Sequence, residues 1–142
     1  MRANALSEPL VLVVGLLDAL RREFSLDPHR IYLAGQSDGG FAVWDLITEN
    51  PERFAAAILV CGGGDPALAG RVAKIPIRVF RRDADGIIPV TGARQLVAAV
   101  TKVGGSPRYT EYRGVLRCGL PGLCHRLCDN PVSTLRVGTR RV

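Results

Sequence analysis

The sequence predicts an α/β fold built on a mainly parallel sheet with flanking helices. Short apolar runs rich in β-formers alternate with longer stretches of helical spacing, and the connections between them are of ordinary length. The junction "RIYLAGQSDGGFAVWDL" at positions 30–46 is the clearest instance, because a strand pattern passes through Gly35-Gln36-Ser37-Asp38-Gly39 directly into a helix pattern.

The first element is a helix. Ser7 is placed to cap it, Glu8 and Pro9 suit its first turn, and Arg21 and Arg22 suit its last. Apolar residues at 10, 13, 14, 17 and 20 follow the helical period, which predicts a buried helix. The core of this segment, "LVLVVGLL", has the length of a signal-peptide core. Pro9, Asp18, the Arg21-Arg22 pair and the lack of a small-residue cleavage site argue against that reading. It also falls short of the ~20 residues that span a bilayer.

"SLDPHR" follows as a turn, since Asp27-Pro28 disfavours continued helix. "RIYLAG" has the apolar character of a buried parallel strand. A helix is expected from Phe41, ended by Asn50-Pro51, and "FAAAILVCGGG" from Phe54 is a second strand closed by glycines. "IPIRVFRR" is a third strand. A helix from Thr91 has an apolar face at 96, 97, 100 and 103 and a stop at Gly104-Gly105. "RYTEYRG" is a fourth strand, with alternating character.

Charge divides the 142 residues unevenly. Positions 1–112 hold 13 Lys and Arg against 12 Asp and Glu, whereas 113–142 hold six Arg against Asp129 alone. The basicity therefore belongs to the tail, which has neither the aromatic interleaving nor a fold expected of a nucleic-acid binder. Cysteine is skewed likewise, with Cys61 in the body and Cys118, Cys124 and Cys128 in the tail. This pattern is too sparse for a disulfide scaffold, and although Cys124 and Cys128 have a zinc-type spacing, Cys118 and His125 do not form the second such pair that a zinc site needs.

Ser37 stands where a parallel strand ends and a helix begins, and ligands of α/β sheets bind beyond the carboxyl ends of the strands. Gly-x-Ser-x-Gly in that context is the pattern of a nucleophile elbow, in which Gly35 and Gly39 relieve crowding around a strained serine. The backbone N–H of Asp38 would then face a developing oxyanion. A triad also needs an acid and a histidine, in the order Ser, acid, His. The loop after "IPIRVF" offers Asp83 and Asp85, either of which could equally be a turn residue before Gly86. His29 precedes the first strand and belongs at the wrong end of the sheet, which leaves His125 as the candidate base.

From Leu6 to about Val115 the chain resembles the α/β-hydrolase superfamily, and within it the bacterial phospholipase/carboxylesterase and prolyl-oligopeptidase-like proteins. The stretches that carry the resemblance are "DPHRIYLAGQSDGG", "WDLITENPERFAAAILVCGGG", "IPIRVFRRDADGIIPV" and "YTEYRGV". It implies Ser37 as nucleophile and Asp85, before Ile87-Ile88-Pro89-Val90, as triad acid. It also implies hydrolysis of a small-molecule ester or a peptide without metal or organic cofactor.

Four features depart from the family pattern. Asp38 replaces an apolar residue after the serine, Arg81-Arg82 replace His-Gly before the acid loop, Leu116-Arg117 stand where Gly-His should follow the last strand, and the first strands of the sheet have no counterpart. Arginine remains protonated and cannot act as the base. These departures, with the compositional change near Arg113, suggest a truncated gene product whose tail is read out of frame. The expected organisation is a partial α/β-hydrolase domain at 6–115 and an irregular basic tail at 116–142. The alternative is a non-catalytic pseudo-hydrolase that acts as an interaction module, self-associating through sheet edges left open.

Overall fold

The computed structural model describes residues 6–113, in which three α-helices and four strands follow one another in the predicted order. Helix α1 spans Glu8–Glu23, β1 Tyr32–Gln36, α2 Asp38–Glu49, β2 Ala56–Val60, β3 Ile77–Arg82, α3 Val90–Lys102 and β4 Arg108–Tyr112. Short 3₁₀ turns at Pro28–Arg30, Pro51–Arg53 and Pro66–Val72 complete the connections, and only the last has no forerunner in the sequence reading. The predicted tail at 116–142, with His125 and Cys118, Cys124 and Cys128, lies outside the described residues.

The four strands form one parallel sheet in the order β1-β2-β3-β4. Crossovers between parallel strands are right-handed, so a strand order that advances steadily in one direction sends every connection to the same face. The core shows this result. Leu33, Ala57, Leu59, Ile77, Val79 and Tyr109 point to the face that also receives Val43, Trp44 and Ile47 from α2 and Leu96 and Val100 from α3. On the opposite face Ile58, Val60, Phe80 and Tyr112 gather with Cys61, and no described helix contributes to that cluster. There the Phe80 and Tyr112 rings stack at 6.5 Å, and the Arg78 guanidinium lies 4.7 Å from the Phe80 centroid.

The first helix corrects the expectation of a buried element. It has no fully buried residue; Leu10, Val14 and Leu17 pack against the core, while Val11, Leu12, Val13 and Leu16 are exposed. Apolar residues on more than one side of the helix made the periodicity look like complete burial. Ser7 does occupy the N-cap position, but its hydroxyl makes no cap bond. Its carbonyl instead accepts from Leu10 and Val11 N–H at 2.9 and 3.0 Å. Asp18 of α1 pairs with Arg53 at 2.8 Å, which ties the helix to the turn before β2.

Helix α3 ends as predicted, by a specific mechanism. Gly104 takes φ +88°, so that its N–H reaches Thr101 O at 3.0 Å and Gly105 N–H reaches Val100 O at 2.9 Å. This 5→2 and 6→1 pair is a Schellman cap, which needs a residue free to adopt left-handed backbone. Val103, expected on the buried face, is exposed beside it.

Candidate active site

Ser37 occupies a conformation that non-glycine residues rarely adopt, with φ 56° and ψ −120° at the N-cap of α2. Its N–H donates to Val60 O at 2.8 Å, one step beyond the last ladder pair Gln36–Val60, and its carbonyl accepts from Gly40 and Phe41 N–H. The residue is thus held from both sides while the chain turns from strand to helix. Helix α2 begins at Asp38, three residues before the predicted start, so the glycines belong to its first turn. The Asp38 and Gly39 N–H groups precede the first of the bonds to the Ser37 carbonyl and point along the positive end of the helix dipole. Asp38 is exposed there, so its carboxylate is not buried in the turn.

Two glycines were expected to matter, and the structure changes one of them. A Cβ on Gly35 would lie 2.0 Å from Gly39 O, so this position admits no side chain. A Cβ on Gly39 would meet nothing within 4 Å. The second close approach is instead at Gly40, where a Cβ would stand 2.8 Å from Gly62 Cα. The run Gly62-Gly63-Gly64 after β2 lies over the start of α2, with Gly63 against the Phe41 ring and Gly64 against Trp44. "VCGGG" therefore serves the elbow as well as ending a strand.

Cys61 shares the unusual backbone, with φ 50°, and donates its N–H to Phe80 O at 2.9 Å. It stands at the end of β2 as Ser37 stands at the end of β1. No local signal marks it in the sequence, because cysteine is not a residue that favours left-handed backbone.

The loop after β3 is organised by Asp85. Its Oδ1 accepts from Ile87 N–H at 3.1 Å and Ile88 N–H at 3.3 Å, and its Oδ2 accepts from Arg82 Nη2 at 3.2 Å. Both side chains of that ion pair are only 2% exposed. Burial pushes the Asp85 carboxyl up, but the two N–H groups and the charges of Arg82 and Arg81 outweigh it and hold the group below the ordinary carboxylate value. Arg81, 1% exposed, donates to Ile88 O and to Pro89 O, fixing the far arm of the loop. Arg81 and Arg82, which stand where the resemblance calls for His-Gly, are thus the groups that tie the Asp85 loop to its strand. Asp83 is exposed, with its N–H on Tyr112 O at 3.2 Å.

Ser37 and Asp85 both follow the carboxyl ends of their strands, separated by β2 alone. With a strand spacing of ~4.8 Å, β1 and β3 run about 10 Å apart. His29 lies in the turn before β1, at the other end of the sheet, where its N–H bonds Asp27 Oδ1 at 2.9 Å. His125 lies outside the described residues. Among the described residues no helix is long and apolar enough to cross a membrane.

Comparison with known proteins accords with this geometry. The family model of the prolyl oligopeptidase family matches residues 13–106. The chain is 30% identical over 147 aligned residues to the "Putative esterase NocK" of Nocardia uniformis subsp. tsuyamanensis. That alignment takes in 86% of this chain and 43% of NocK, so the chain spans less than half the length of the curated relative it matches. Among solved structures, a thermostable esterase is 44% identical with a TM-score of 0.74, covering 76% of this chain and 29% of that one. Esterase PE8 is 25% identical with a TM-score of 0.66, covering 84% and 58%. A puromycin-hydrolyzing peptidase of Mycobacterium tuberculosis, at 17% identity and a TM-score of 0.65 over 72% and 21% of the two chains, shares the fold. With its parallel sheet, its serine turn and this family match, the chain belongs to the prolyl oligopeptidase family of α/β-hydrolases.

Proposed function

We propose that the chain is a serine hydrolase acting on ester bonds, with peptide bonds as the second substrate class, through Ser37 as nucleophile. The observation that carries the reading is the backbone of Ser37: φ 56° with ψ −120°, outside the left-handed region that non-glycine turn residues adopt, at the point where a parallel strand passes directly into a helix. Asp85 is the acid, and His125, which follows the last strand in the order Ser, acid, His, is the base. The division into a hydrolase unit at 6–115 and a basic tail at 116–142 belongs to the same reading.

In this scheme Ser37 Oγ attacks the carbonyl carbon while its proton passes to the His125 imidazole. The carbonyl oxygen becomes an oxyanion facing the Asp38 N–H, the leaving alcohol takes the proton from His125, and water repeats the sequence to release the acid and free Ser37. Esterase names on a 44%-identical structure and on NocK support ester over peptide. Turnover is expected to be slow, because Leu116-Arg117 stand where the resemblance calls for Gly-His. Hydrolysis of short-chain p-nitrophenyl esters tests the scheme: the rate falls to that of buffer in Ser37→Ala and in His125→Ala. A rate unchanged in Ser37→Ala contradicts it.

A second reading, as a module that pairs with another copy of itself, is favoured by a specific observation. Among the described residues β1 pairs only with β2, and α1 leaves Val11, Leu12, Val13 and Leu16 exposed at 54, 69, 44 and 59%. An open edge and an apolar strip are both self-complementary about a twofold axis. Gel filtration of the chain beside a Leu12→Lys/Leu16→Lys variant decides this: a dimer that the variant dissociates supports the reading, and a monomer at high concentration removes it.

A further inference from the structure

The triad scheme accounts for Asp85 but not for the buried cation beside it. An ionised carboxylate offers about four lone-pair sites, and three are filled here, two by Ile87 and Ile88 N–H and one by Arg82 Nη2. Burial penalises the charged form of a carboxylate whose side chain is 2% exposed; the Ile87 and Ile88 N–H groups oppose that penalty and the Arg82 charge adds to them. A protonated Asp85 would still offer an acceptor oxygen but would lack the charge that stabilises the cation of the base.

We propose that Arg82 is a positioning residue for the acid: its guanidinium fixes the second oxygen of Asp85, keeps the buried carboxylate ionised, and leaves one lone pair for the N–H of a general base. This rests on the reading of Asp85 as the acid. The geometry separates the two arginines by task. Arg82 reaches the carboxylate, whereas Arg81 reaches the carbonyls of Ile88 and Pro89 and holds the loop backbone. The surroundings leave Arg82 the close cation. Among the described residues, the charges acting on Asp85 are those of Arg82 and Arg81. Helix α3 brings no acidic residue in its first turn, β4 brings Tyr112 opposite Arg82, and Asp83 on the same loop is exposed. The lowered titration of Asp85 agrees with this arrangement.

The test is the ¹³C carboxyl shift of Asp85 followed against pH, which reads the pair whether or not the chain turns over substrate. In Arg82→Gln, which keeps a donor and removes the charge, the midpoint rises by about 1 unit, the low end of what a close opposite charge contributes. Arg82→Lys restores it. An unchanged midpoint in a folded Arg82→Gln chain overturns the proposal. If Arg82→Gln does not fold, the double variant Arg82→Met/Asp85→Asn decides the matter, because it removes both charges while the side-chain oxygen at 85 still accepts from Ile87 and Ile88 N–H. Recovery of the fold in the double variant supports the pair, and no recovery overturns it. Where ester hydrolysis is measurable, Arg82→Gln lowers kcat with KM little changed. A midpoint that rises in Arg82→Gln while ester hydrolysis is unaffected by Asp85→Asn supports the pair and counts against the triad reading alone.

Discussion

The Ser37 N–H donates to Val60 O at 2.8 Å, so the residue that turns out of β1 is still held by β2 while its backbone sits at φ 56°. Strand pairing thus continues into the strained residue, which the first turn of α2 holds from its other side. The glycine that precedes it by two positions makes the turn possible.

Gly35→Ala is therefore predicted to destabilise the chain by about 3 kcal/mol or more, since its Cβ would stand 2.0 Å from Gly39 O, which is part of the backbone and cannot move aside. Gly39→Ala, with open space around the new methyl, should change stability by less than about 1 kcal/mol and can raise it through the unfolded chain. Urea unfolding of the two variants side by side checks this contrast. Equal costs would mean that the two glycines are equivalent, as the sequence pattern alone implies.

Trp44 is the chain's one tryptophan and is fully buried between α2 and the sheet. Its emission is predicted to be blue-shifted and protected from iodide. Gly64→Ala, which would place a methyl 2.0 Å from the Trp44 ring, should shift that emission and destabilise the chain by about 1–3 kcal/mol. Fluorescence-monitored denaturation measures both effects in one experiment.

Arg94 on α3 grips Glu111 on β4 with Nε at 3.0 Å and Nη2 at 2.6 Å, and Tyr109 donates to the same carboxylate at 2.6 Å. Hydrogen bonds from Arg94 and Tyr109 lower Glu111 from 4.5 to about 2, while burial and the Glu111 bond raise Tyr109 to about 12. A carboxyl lowered on folding contributes stability that is complete above its unfolded value and is lost as pH falls through its folded one. The stability difference between the native chain and Glu111→Gln should accordingly be constant above about pH 5 and shrink between 4.5 and 2. A difference independent of pH would show that Glu111 acts without its charge.

Much of this fold was legible because each element carried its own boundary signal. Gly104-Gly105 marked the end of α3, Asn50-Pro51 the end of α2, and the β-rich runs gave all four strands. Helix α1 misled because Val11, Leu12 and Leu16 extend its apolar surface beyond the face that packs, and periodicity does not report which side has a neighbour. At the candidate site, the Gly-x-Ser-x-Gly pattern marked the strand-to-helix turn at Ser37, whereas the residues alone left Asp83 and Asp85 open and the family resemblance singled out Asp85. The parts of Arg82, Gly40 and Cys61 were not, because each depends on what another strand or loop brings to it: Asp85 for Arg82, Gly62 for Gly40, Phe80 O for Cys61.

Fluorophosphonate labelling, with the modified residue located by mass spectrometry, reads whether Ser37 is a reactive nucleophile. A single adduct is expected on Ser37, absent from Ser37→Ala and weakened in Asp85→Asn. A folded chain that takes no label, or takes it equally with Ser37 removed, would contradict it.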